Sequence, residues 1–95
     1  MKPAEAITVI QKCFEDGDYF IRQHVFDRLL ERNLSEIELF GIIEEPDEAR
    51  SDGHDQLGRE RWFISGTLYD GTKAELLIVL DHRPHATLFT VYWID

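Results

Sequence analysis

Ninety-five residues, 43 % hydrophobic and 12 % aromatic, have the make-up of one globular domain rather than of a disordered segment. Nineteen acidic against ten basic side chains leave a net charge of −9, which excludes the Lys/Arg footprint of broad DNA binding and docking on an anionic membrane. The single cysteine, Cys13, excludes an internal disulfide and a thiolate-held structural zinc.

In chain order, residues 3–15 predict an amphipathic helix. Pro3 suits its first turn, and Ile7, Val9, Ile10, Cys13 and Phe14 share one arc. Gly17 marks the stop, and Tyr19–Arg22 reads as a short extended piece. A second helix spans 23–32, with Val25, Phe26, Leu29 and Leu30 on the buried arc. The third, 35–45, opens on the capping box Ser35-Glu36-Ile37-Glu38, with Leu34 and Leu39 placed as a hydrophobic staple, and ends before Pro46. Strands are expected at 47–51 (an edge), 61–69, 73–81 and 87–94. Asp70-Gly71 is a short-hairpin signal, and the apolar run Leu76–Leu80 marks an interior strand. The expected fold is α+β: two to three N-terminal helices packed on a three- to four-stranded antiparallel β-meander, in a single domain over 1–95.

The acidic excess is local. Residues 36–60 hold nine acids and two bases, a net −7. Just before them His24, Arg28 and Arg32 recur every four residues, so on a helix they stand at about 0°, 40° and 80° and form one stripe. Asp27 and Glu31 fall on the other edge. Imidazole titrates near neutrality, and guanidinium grips a planar oxyanion through two bonds, so the stripe suits acid–base work on a phosphodiester. Arg22 would add a phosphate contact if the chain brings it to the same side. The plainer reading is a solvated helix boundary whose counterions are the acids of 36–60.

The run His24 to Ser35, with Arg28, Arg32 and Leu34 in register, resembles the H-x3-R-x3-R-x-[IL]-[ST] signature of a small prokaryotic domain-of-unknown-function family (DUF four-two-five-eight). Phe89-Thr90-Val91-Tyr92 resembles that family's last strand. The resemblance covers roughly residues 20–94. It implies a fold loosely of the RelE-like toxin kind and pairing with a small zinc-finger antitoxin. It also implies RNA cleavage or descent from an RNA-cleaving toxin. RelE-like ribonucleases are generally basic, and this acidic chain departs from them.

Asp81, His82 and His85 have no further identifiable metal ligand beside them and read as a polar turn, so neither metal nor cofactor is expected. Trp62, Phe63, Phe89, Tyr92 and Trp93 read as core rather than as a base-stacking platform. The longest apolar run is far short of the ~20 residues that span a bilayer. No basic stretch followed by an apolar one opens the chain, so a cytoplasmic protein is expected. Two functions stand. One is a toxin-like, metal-independent ribonuclease, or its inactive descendant, that uses His24, Arg28 and Arg32. The other is a non-catalytic module that binds a cognate antitoxin, another basic protein or a second copy of itself through the acidic segment 36–60.

Overall fold

The structure, a computed structural model, describes residues 1–94. The element order is α1 (Pro3–Asp16), β1 (Tyr19–Ile21), α2 (Gln23–Glu31), α3 (Glu36–Glu44), β2 (Glu48–His54), β3 (Glu60–Thr67), β4 (Lys73–Leu80) and β5 (Ala86–Ile94). This is the α+β class expected, with a fifth strand beyond the three or four read from the sequence. The extra strand is the short extended piece after α1. It pairs parallel with β5, so the sheet order is β1-β5-β4-β3-β2 and the sheet is not purely antiparallel.

Local chemistry ends α1, and pairing with β5 makes the next residues a strand. Gly17 takes the left-handed conformation (φ 78°) that closes α1, a geometry costly to any residue with a Cβ. The turned chain then meets β5, where the Ala86 amide donates to the Asp18 carbonyl and the Arg22 amide to the Leu88 carbonyl. At α3 the capping box closes, with the Ser35 amide and hydroxyl donating to the Glu38 carboxylate at 2.9 and 2.8 Å. These bonds hold the Glu38 carboxyl below the usual carboxylate range.

All three helices lie on one face of the sheet. Ile10 and Cys13 of α1, Val25 and Leu29 of α2, and Leu39 and Ile42 of α3 pack with Trp62, Ile64, Leu76, Ile78, Leu88 and Val91. Leu30, expected on the buried arc, is 75 % exposed, because nine residues of α2 offer the sheet a narrow stripe rather than a wide arc. Gly66 of β3 lies directly beneath α3: a Cβ there would stand 2.8 Å from Ile42 Cγ2.

The other face has no helix, yet β4 is buried on both sides. Leu77 and Val79 are 4 % and 1 % exposed and stand outside the helix-side core. The register puts Phe63, Leu77 and Thr90 in one row of this face, and Arg61, Val79, Thr87 and Phe20 in the next. Ile78 pairs with Leu88 while Leu77 pairs with Thr90, so Phe89 is the extra residue of a β-bulge. Trp62 is core and Trp93 packs against it, as expected, whereas Phe63, Phe89 and Tyr92 belong to this helix-free side.

Candidate functional site at the α2–β5 margin

The stripe forms as the spacing predicts, because His24, Arg28 and Arg32 follow one edge of α2 and its C-cap while Val25 and Leu29 hold the helix on the sheet. β1 pairs only with Ala86–Leu88, so beyond the bulge no strand flanks the outer edge of β5, and α2 packs beside it. The stripe therefore starts at His24, where β1 ends and α2 begins, and runs along α2 to Arg32 over Trp93 of β5.

Each cation of this margin meets a different environment. Arg22, in extended conformation at the N-cap of α2, sets its guanidinium 4.6 Å from the Phe89 ring centroid. His24 is exposed. Arg28 is half-buried, and its Nε, shielded from solvent, has no hydrogen-bond acceptor among the described residues. Arg32 lies 4.9 Å over the Trp93 ring, and the Trp93 indole N–H is the second shielded donor without an acceptor. An unanswered buried donor costs roughly 1–3 kcal/mol. The Asp70 carboxyl is held below its usual range chiefly by hydrogen bonds from Thr72, with the charge of Arg32 contributing least.

The acids Glu38, Asp47, Asp52, Asp55 and Glu60 of the segment 36–60 find partners away from His24 and Arg28. Asp52 pairs with Arg61 at 3.0 Å and Asp55 with Arg59 at 2.7 Å. Asp47 accepts from the Thr67 hydroxyl, Glu60 from the Trp62 indole, and Glu38 from Ser35. Arg50 is answered by Glu75 at 3.2 Å. Among the described residues no ion pair joins Arg22, His24 or Arg28 to a carboxylate. Register explains the division. The bulge between Ser51 and His54 in β2 and the turn at Asp55–Arg59 bring Asp52 and Asp55 to the bases of their own hairpin, Arg61 and Arg59.

Asp81 and His85 meet at 3.7 Å, and Arg59 reaches Asp81 at 3.8 Å. Among the described residues no group of three His, Cys, Asp or Glu side chains is placed to hold a metal ion. Cys13 is buried, and burial together with Asp18 and Asp16 pushes its thiol up, away from the reactive thiolate. No described helix is long and apolar enough to cross a membrane.

Among the described residues, cavities lie against α1, α3 and β1. Sequence reasoning missed them, since their walls come from elements distant in the chain. None of these cavities is lined by His24, Arg28 or Arg32. No family model, curated protein or solved structure matches the chain.

Proposed function

We propose that this chain is a toxin-like domain acting on RNA, with the α2–β5 margin as its phosphate site. The observation that carries the reading is the separation of charge. Asp52 and Asp55 pair with Arg61 and Arg59, and Glu75 with Arg50, while among the described residues no ion pair joins Arg28 to a carboxylate and its shielded Nε has no acceptor. The resemblance of His24–Ser35 to the domain-of-unknown-function family supports the same assignment.

Arg28 and Arg32 hold the non-bridging oxygens of a backbone phosphate. His24, exposed at the N-terminal end of the stripe, takes the proton of the adjacent 2′-hydroxyl. The 2′-oxygen then forms its bond to phosphorus. The bond from phosphorus to the 5′-oxygen breaks, and that oxygen takes a proton from water. The arginines stabilise the charge that gathers on the phosphoryl oxygens. The reaction calls on no metal ligand.

Incubation of the purified chain with single-stranded RNA tests this. Products ending in a 2′,3′-cyclic phosphate are expected, lost in His24→Ala and strongly reduced in Arg28→Met. Equal cleavage by the wild type and both variants would sink the assignment. Binding of a basic partner, such as a zinc-finger antitoxin, is a second activity. It is favoured by Glu36 and Glu44, which stand at the walls of two aromatic cavities.

A further inference from the structure

Strand β1 is an edge strand of three residues, hydrogen-bonded on one side to β5. The Asp18 carbonyl and Arg22 amide face β5, so by strand alternation the amides and carbonyls of Tyr19 and Ile21 point away from the sheet. Beside that free edge lie two cavities of about 460 and 410 Å³. They share Tyr19 and Phe40 as a common wall, so together they follow β1. Phe14 stacks on Tyr19 at 4.5 Å, and both rings meet Phe40 edge-on at 5.9 Å. The polar members of the walls are one-sided. Glu15, Glu44 and Glu36 contribute carboxylates, no Lys, Arg or His contributes, and none of the three carboxylates is in an ion pair among the described residues.

We propose that this groove takes an extended, basic segment of a partner protein, which adds a strand to β1 and places alternate cationic side chains over the aromatic floor. The inference develops the partner-binding reading and is independent of RNA cleavage. Three features converge on that occupant. The free backbone groups of Tyr19 and Ile21 supply the main-chain bonds of strand addition. The π-faces of Tyr19, Phe14 and Phe40 attract guanidinium or ammonium groups. Glu15, Glu36 and Glu44 complement their charge and repel an acidic strand. A second copy of this chain is disfavoured by the same charges, since it would bring three carboxylates against three.

The probe is a capped octapeptide alternating arginine with valine, run against its glutamate–valine counterpart and a lysine–alanine helix former. Amide NMR of the full chain reports where each binds. The arginine–valine peptide is expected to bind, to shift the Tyr19 and Ile21 amides and to slow their exchange with solvent. The other two peptides should leave those amides unmoved. The double variant Glu15→Lys with Glu44→Lys changes only exposed side chains and should weaken binding about tenfold or more. Phe40→Ala should weaken it without changing its salt dependence.

Binding that maps to Glu44–Glu48 and leaves β1 untouched would overturn the groove while sparing the partner-binding reading. Failure of every basic peptide to bind would overturn both. Self-association that alone protects Tyr19 and Ile21 would also overturn the proposal, in favour of a β1–β1 dimer.

Discussion

The two faces of β4 are buried to the same degree by different means. Leu76 and Ile78 are covered by three helices, whereas Leu77 and Val79 are covered without any helix. On that side the cover is a layer of rings and guanidiniums. Arg50 lies 4.3 Å over Phe63, Phe63 tilts against Tyr92 at 6.2 Å, and Arg22 and Arg59 both flank Phe89. Long cationic side chains can roof apolar surface with their stems while the heads stay wet. The comparison separates two groups of arginine that look alike in the sequence. Arg50, Arg59 and Arg61 are fixed by carboxylates and belong to the roof. Arg28 has no such partner among the described residues and belongs to the proposed phosphate site.

The sharpest way to break this comparison is to cut one ring from each face. Trp62→Ala, on the helix side, is expected to cost ~3–5 kcal/mol in urea unfolding. Phe63→Ala, its neighbour on the roofed side, is expected to cost about 1–2 kcal/mol, since less of its surface leaves water. Equal losses would mean that the roof is packed as tightly as the helix layer. Next in size is Gly66→Ala, which presses a methyl into the branched carbons of Ile42 and is expected to cost ~1–3 kcal/mol.

Smaller effects sharpen the division among the arginines. Arg61→Met removes a half-exposed ion pair with Asp52 and should change stability by ~0.2–1 kcal/mol, with RNA binding unaltered. Arg28→Met should leave the unfolding midpoint nearly unchanged or raised, because it removes a donor without an acceptor. In RNA titrations it should reduce the salt slope by about 1.

The smallest expected effect is on pH. In Asp55 burial raises the carboxyl's pKa, but hydrogen bonds from the Arg59 and Leu57 amides and the Arg59 side chain outweigh it and lower the pKa. Glu38 and Asp70 are lowered too. A carboxyl whose folded pKa lies below its unfolded value adds stability that is full above the unfolded pKa and lost as pH falls through the folded one. Stability measured by circular dichroism should therefore fall on acidification below the ordinary carboxylate range. Glu38→Gln should flatten part of that acid limb and leave neutral pH nearly unaffected.

Much of this was legible beforehand where the cause is local. Ser35 and Glu38 are three apart and so close the capping box, Asp70-Gly71 turns β3 into β4, and four-residue spacing lines up His24, Arg28 and Arg32. These depend on backbone geometry within a few residues. What stayed illegible depends on pairing across the chain. Tyr19–Ile21 becomes a strand only because β5, more than sixty residues later, offers a parallel edge.

The charge followed the same division. The sequence by itself determined the net −9, its concentration in 36–60, the three helices, the β-rich half and the basic stripe on α2. Only the tertiary structure decided which acids meet which bases, and which sheet face lacks a helix. It alone set the carboxylates of Glu15, Glu36 and Glu44 beside an aromatic groove. The physical reason is that helix periodicity and caps are encoded at short range. Counterion choice and cavities are set by register between strands, where one residue of slip moves a side chain to the opposite face.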